Sequence, residues 1–516
     1  MFWKNKRRRI RKMIGILKEK IRSKRFGTLA IVSILFICFI VFRFHTHRFI
    51  RYQGPTFLTF HELQKLSEND HPGGLLEKKL ERFWKTPIVN NEAYYRGARP
   101  HRPTDPKLGD YLRVASWNIE KSYHIHEAIA AFSSENDFKL LIDPSKAPEG
   151  SPLYKESLRQ RERLSKADIV LLQEMDIGSK RSGYINAAAE IAKKLDMNYA
   201  YGAEDLEVDP AYLGSEKIYY HNGSLDREAM DYYAADPRKY KGVFGCAVLS
   251  RYPIKHVEVF QLKTKAYDWY QGEKSKTGFL ERAREVGARI LFKNEHMREI
   301  KVGGRIYFRV DLEVPGLPEK TLTIINIHLE IKCTPEKREA QMSEILFSYI
   351  QKIKHPVIVM GDFNSAPQDL SSTSVSRVVE GIPDDIASLF SNPVEPLFTM
   401  IQKYRFDDGG AFDFRGDKNR SINGKDKELA NSNQRDLVGF KTTFSVKRPI
   451  ATAIGKYRLD WIFVKSYLKD PFGKGPYRFA PHFGETLEEL NTNLKTPISD
   501  HHPNVADLPF EEPKLS

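Results

Sequence analysis

Cysteine is nearly missing from this chain: three in 516 residues, at positions 38, 246 and 333. Cys38 lies in an apolar run, which leaves Cys246 and Cys333 for the body, too few for a disulfide framework. Both read as small buried residues rather than ligands. No G-x-S-x-G elbow, H-E-x-x-H helix or Walker A loop occurs, so the common serine-hydrolase, zinc-peptidase and P-loop chemistries have no local support. No internal repeat of fixed period is present. The bulk of the chain also lacks an excess of either charge. The formal net charge is +15, but residues 1–25 hold 12 Lys or Arg against the single acid Glu19. After Arg43, Arg48 and Arg51, residues 52–516 keep 67 basic and 66 acidic side chains. A near-neutral body removes the easiest argument for a polyanion-binding surface, although a local basic patch stays open.

What is present is a globular composition, 41% hydrophobic and 12% aromatic, long enough for one large domain with appendages. The basic arm 1–25 precedes an uncharged run, Phe26–Phe42, of 17 residues. As a helix it would be about 25 Å long, the short end of a bilayer span, and flanking Lys and Arg can snorkel to complete it. A cleaved secretory signal is the rival, but no small-x-small site follows Phe42. The expectation is therefore a single transmembrane helix with a cytoplasmic N-terminus and an extracytoplasmic domain. Residues 43–109, with scattered Pro and Gly and one helix around Leu75–Trp84, read as a juxtamembrane stalk. Asn222-Gly223-Ser224 and Asn419-Arg420-Ser421 are glycosylation sequons, meaningful only in a eukaryotic secretory pathway.

From residue 110 to about 508, short apolar segments recur: 112–117, 167–174, 245–250, 321–328, 357–364 and 458–464. Their length and β-branched or aromatic content predict buried strands. Helical stretches at 185–195 and 335–353 lie between them, the latter opening on Thr334 and Pro335 as cap and first-turn proline. This predicts an α/β (α+β) layered sandwich. Residues 203–242, 264–304 and 402–440 read as polar insertions.

Three of the strands end in polar pairs at i and i+2: Asn118 with Glu120, Asn326 with His328, Asp362 with Asn364. On an extended strand such pairs face one way. Glu174 ends a fourth. Any single pair is explained by strand ends lying near solvent; four together weaken that account. Oxygen donors of this kind suit a hard cation, and Mg²⁺, or Mn²⁺ in its place, takes one or two carboxylates while keeping water and substrate phosphate. Zinc would want more His or Cys. The chemistry that fits is metal-assisted hydrolysis of a phosphate ester.

The segments WNIE (117–120), LLQE (171–174), GCAVLSRYPI (245–254), NIHLE (326–330), GDFNSAP (361–367), RLDWIFV (458–464) and SDHHP (499–503) resemble, in order, the motif series of the endonuclease/exonuclease/phosphatase superfamily. The resemblance covers residues 110–508 and implies a DNase I-like four-layer sandwich, two packed mixed β-sheets flanked by helices. It implies Glu174 as principal metal ligand, with Asn118, Glu120 and Asp500 beside the metal. It implies Asp362 as the base that orients and deprotonates water, and Asn364 as a phosphate-positioning residue. His501 would contact the scissile phosphate with Asp460 holding its ring, and His328 would be a second phosphate contact. Arg338 and Gln341, three apart on one helix face, read as structural. Substrates in the superfamily include nucleic acids, lipid head groups and inositol phosphates, and the shared motifs do not separate them. The tyrosines from Tyr199 to Tyr240 could stack bases, bury in lipid or simply pack. A catalytically dead scaffold is the remaining class, opposed by the intact ionisable set. No protein partner is indicated.

In the segment PISDHHPNV (497–505), neighbouring residues of an extended chain point to opposite sides, so a zinc shared by His501 and His502 is unfavourable. His502 is expected to be structural or on the rim.

Overall fold

The computed structural model describes residues 49–106, 109–218, 224–274, 299–365 and 396–412, then 443–445, 456–457, 459–465, 467–468, 477–478 and 483–511. The basic arm, the apolar run 26–42 and both sequon asparagines lie outside the described residues. Among the described residues no helix is long and apolar enough to cross a membrane. The chain divides into two units, Met1–Arg51 and Tyr52–Ser516.

The second unit holds two mixed sheets, with strands numbered in chain order. The larger runs β1 (Tyr52–Gln53), β2 (Ile88–Asn90), β6 (Asn198–Glu207), β7 (Val243–Ser250), β5 (Ile169–Ile177), β4 (Gly109–Asn118), β19 (Asn504–Pro509) and β18 (Phe483–Thr486). Beside it lie β3 (Thr104–Asp105) on β4 and β9 (Lys301–Gly303) on β6. The smaller runs β15 (Asp460–Lys465), β12 (Val357–Asp362), β11 (Thr321–His328), β10 (Ile306–Glu313) and β8 (Ile254–Gln261). Two short pairs, β13 (Phe444–Ser445) with β14 (Lys456–Tyr457) and β16 (Tyr467–Leu468) with β17 (Tyr477–Arg478), complete the described strands. Each large sheet contains one parallel pair, β4 with β5 and β11 with β12. Parallel neighbours need a crossover, and the intervening segments supply helices.

The apolar runs are continuous because both faces of these strands are covered. Side chains alternate between cores: Leu112, Val114, Ile169 and Leu171 meet Leu322, Ile324, Ile358 and Met360 between the sheets. Their sequence neighbours Ala115, Trp117, Val170 and Leu172 face an outer core with Ile125, Leu164 and Ile191, from helices α3 (Ile125–Phe132), α4 (Pro152–Ser165) and α5 (Ala187–Leu195). On the far side Ile325, Ile327, Val357 and Val359 pack on Met342 of helix α6 (Pro335–Ser343) and on Ile345 and Leu346, which continue from it. The result is the expected sandwich, helix–sheet–sheet–helix.

The stalk expected over 43–109 does not describe residues 52–105. β1 pairs with β2, and β2 with β6. Before β2 come α1 (Phe60–Glu68), opened by a Thr59–Glu62 capping box, and α2 (Gly74–Trp84). Leu63 and Leu66 on one, Leu80 and Phe83 on the other, join the Trp117 core. Apolar residues three apart make a helical stripe, and burying each such side chain stabilises by roughly 1.5–3 kcal/mol. The expected insertions are likewise trimmed. Residues 203–207 finish β6, 301–303 form β9, and Tyr404, Phe406 and Phe412 are buried.

Candidate active site

Strand register brings the polar ends together. Across the small sheet His328 faces Asp362, and Asp362 faces Asp460, so three neighbouring strands put one ionisable group each on a single row. Across the large sheet Asn118 faces Gln173, next to Glu174.

The i, i+2 rule works only in part. β4 ends at Asn118, and Glu120, Lys121 and Ser122 follow in a left-handed run with φ of 45°, 52° and 55°. Glu174 has φ 58° where β5 shifts register against β7 between Leu172 and Met175. Asn364, past the end of β12, has φ 46°. Left-handed backbone at non-glycine residues costs roughly 1–3 kcal/mol each, and five of the molecule's ten described cases sit here. Backbone strain, rather than uninterrupted strand alternation, turns these side chains inward. Asn326 does not reach the site. Its Nδ2 donates to the carbonyls of Leu172 and Ala247, and its Oδ1 accepts from Gln173, tying the two sheets together.

The remaining groups form one continuous chain of contacts. Asp460 Oδ2 lies 2.8 Å from His501 Nδ1, and His501 Nε2 lies 3.8 Å from Asp362 Oδ2. That same Asp362 oxygen accepts from Asn118 Nδ2 at 3.0 Å, which also donates to Glu174 Oε1 at 3.1 Å. Glu174 Oε1 then lies 3.7 Å from His328 Nε2, and His328 Nδ1 lies 3.0 Å from Glu204 Oε2. Around this line, Lys121 N–H donates to Glu174 Oε2, Asp500 N–H to Glu120 Oε2, and Asn364 N–H to Asp362 Oδ1. The Asn118 amide is thus a donor to two carboxylates, with its Oδ1 accepting from Glu120 N–H.

Electrostatics separate the groups. Burial would lower the His501 pKa, but Asp460 and Asp362 outweigh it and hold the imidazolium well above the ordinary histidine value. Burial pushes Asp362 up, only partly opposed by His501. For Glu174 burial also pushes up, yet His328, Lys121 and the Asn118 bond leave it below its ordinary value. Two carboxyls 3.0 and 3.1 Å from one amide nitrogen are therefore driven in opposite directions.

Sequence reasoning missed Glu204, Arg305 and Glu330. Glu204 lies in a segment read as an insertion, and no local motif marks it. Burial raises its pKa, but His328 and Arg305 bring it down to about 2. Arg305 lies 3.1 Å from Glu204 and 3.3 Å from Glu330. Glu204, Cys246 and His328 place potential ligand atoms within 4.8 Å of one another. A metal does not fit there. The Cys246 thiol, pushed up by burial and by Glu204, donates to Glu204, and the Arg305 guanidinium already supplies the cation. Glu174, Glu120 and Asp500 carry oxygen donors of the kind a hard cation takes, and the Glu174 side chain keeps 19% exposure.

His502 is buried, its ring 3.2 Å from Asn491 Nδ2 and its N–H bonded to Thr443 O. Arg338 bonds the Cys333 carbonyl and Gln341 accepts from Glu330 N–H, both supporting the loop after β11.

The profile of the Endonuclease/Exonuclease/phosphatase family matches residues 115–501. Among solved structures, an endonuclease/exonuclease/phosphatase from Beutenbergia cavernae DSM 12333 is 14% identical with a TM-score of 0.36, covering 78% of this chain and 72% of that one. The human Nocturnin catalytic domain with bound sulfate is 14% identical, TM-score 0.35, covering 78% and 94%. A humanized D. rerio TDP2 with 14 mutations is 13% identical, TM-score 0.34, covering 77% and 98%. No curated protein matches the chain.

Proposed function

Because the chain belongs to the Endonuclease/Exonuclease/phosphatase family, and is accordingly a metal-dependent hydrolase of phosphate ester bonds, we propose that it cleaves a phosphodiester by attack of water deprotonated at Asp362. The observation that carries this reading is the unbroken line Asp460–His501–Asp362–Asn118–Glu174.

Asp362 stands between a cation and a neutral donor, so it can accept a proton while His501 stays charged. His501, with Asp460 fixing Nδ1, presents Nε2 as a cationic donor to the phosphate, where charge develops in the transition state. Asn364 donates to Asp362 from both its backbone and its side chain, which keeps the base in one orientation. His328, held by Glu204, turns Nε2 toward Glu174 as a second phosphate contact. Asn118 fixes the spacing of base and metal-side carboxylate. Glu174, with Glu120 and Asp500, would hold Mg²⁺, or Mn²⁺, whose chemistry is to neutralise phosphate charge. Positioning and electrostatics carry most of such a rate.

The test is hydrolysis by the full-length chain with Mg²⁺ on DNA, RNA, sphingomyelin, phosphatidylinositol lipids and inositol phosphates. Glu174→Ala, Asp362→Ala and His501→Ala should each remove it. A wild type inactive on the whole panel, or variants that keep its activity, would overturn the reading.

The run Phe26–Phe42 supports placing the enzyme on a membrane, with residues 1–25 cytoplasmic and the catalytic domain extracytoplasmic. Protease protection of terminally tagged protein tests this; a C-terminal tag shielded on the cytoplasmic side would reverse the orientation.

A further inference from the structure

Glu120, Lys121 and Ser122 leave β4 in the left-handed run described above, and Tyr123 follows directly. The run is clamped at its base. Lys121 N–H donates to Glu174 Oε2, and Ser122 Oγ donates to the Glu174 carbonyl and accepts from Asp176 N–H. Whatever Lys121 and Tyr123 present is therefore held in fixed relation to the metal-side carboxylate.

Both side chains reach the surface beside a buried site. Lys121 is part-exposed, its ammonium on Glu299, whose second oxygen lies 2.6 Å from Lys301 Nζ. Tyr123 keeps 39% of its surface in solvent. Its ring lies 5.8 Å from the Arg181 guanidinium, itself immobilised by paired bonds to Asp176, one to Glu207 and one to the Lys121 carbonyl. An aromatic ring pinned by a fixed cation, one residue from a clamped turn, is a rigid platform, and ordering it further costs little side-chain entropy.

We propose that this turn carries a subsite for the nucleotide next to the scissile phosphate of a single-stranded nucleic acid, its base stacking on Tyr123 and its phosphate meeting Lys121. The inference rests on the phosphodiesterase reading and narrows its substrate. The pairing of planar π-surface with an ammonium is what successive nucleotides require, since every base has a stacking face and every linkage a charge. A lipid head group without a planar ring would use the ammonium and leave the ring idle.

The test compares kcat/KM of the full-length protein on oligothymidylate, on an abasic oligomer of equal length and on sphingomyelin vesicles. Tyr123→Ala is expected to reduce the oligothymidylate-to-abasic ratio about tenfold, as loss of one stacked base does, and Tyr123→Phe to preserve it. Lys121→Met should lower both oligomers relative to the vesicles and reduce the salt slope of binding by about one. An unchanged ratio in Tyr123→Ala, or a wild type that cleaves only vesicles, overturns the subsite and leaves the phosphodiesterase reading standing. No hydrolysis of any of the three also overturns the subsite, and the phosphodiesterase reading falls with it only when RNA, phosphatidylinositol lipids and inositol phosphates are left intact as well.

Discussion

Replacing Asn118 by Ala and by Asp separates two accounts of this residue. If it is a metal ligand through Oδ1, a carboxylate at 118 should hold the cation at least as well. The structure instead makes it a donor, one N–H to Glu174 and the other to Asp362. Hydrogen bonds to charged groups contribute about 1.5–3 kcal/mol each, so deletion removes roughly 3–6 kcal/mol of local ordering. The two carboxylate oxygens share one nitrogen and so lie no more than about 6 Å apart, where two like charges repel by about 3 kcal/mol at an effective dielectric of 20. Nothing would then interpose between them, and in Asn118→Asp a third anion would join them. The expected result is a fall in kcat/KM of about 10²–10³ for Asn118→Ala. For Asn118→Asp the fall should be equal or larger, with the acid limb displaced upward by about two pH units. The assay is kcat/KM against pH at saturating and limiting Mg²⁺, with thermal unfolding of both variants as a folding control. Asn118→Asp activity within tenfold of wild type, together with tighter Mg²⁺ dependence, would refute the argument.

Other outcomes follow from the same geometry. Asp460 and Asp362 raise the His501 pKa against burial, so the stabilisation from this pairing is complete below about pH 6.5 and is lost as pH rises through the higher folded value. Asp460→Asn should move the alkaline limb of kcat/KM toward lower pH, and an unmoved limb would exclude His501 as the cationic group. Burial, only partly opposed by Lys301, raises Asp205 to about 7, and its buried Oδ1 has no hydrogen-bond partner among the described residues. A raised carboxyl destabilises progressively as pH climbs from about 4 to the folded value. Asp205→Asn should therefore match wild type in Tm near pH 4 and exceed it by several degrees at pH 8, as followed by calorimetry. Chelation should abolish hydrolysis and added Mg²⁺ restore it; activity that persists in excess chelator would contradict the metal assignment.

Much of the sandwich was legible because strands covered on both faces must be apolar throughout, and six such runs punctuate the chain at their expected places. Asp362, Glu174 and His501 stood out in the sequence because each lies in a distinctive motif beside buried strand residues: Asp362 closes β12, Glu174 sits at the irregularity within β5, and His501 comes just before β19. The stalk was misread because Pro and Gly near its helices suggested irregular chain, whereas Leu63, Leu66, Leu80 and Phe83 already formed two packed stripes. Asn326 was placed with the site on spacing alone, yet its side chain bridges the sheets.

The amino-acid sequence by itself determined the strand content, the helix starts and the kinds of atoms available for chemistry, since periodicity, capping and donor type are local properties. Only the tertiary structure decided the directions: Glu204 behind His328, the Asn118 amide between two carboxylates, and Arg305 where a metal had candidate ligands. Those depend on left-handed turns and on sheet-to-sheet register, which join residues such as Asn118 with Glu174 and Asp362, 56 and 244 positions apart, and leave no trace in any short window of the chain.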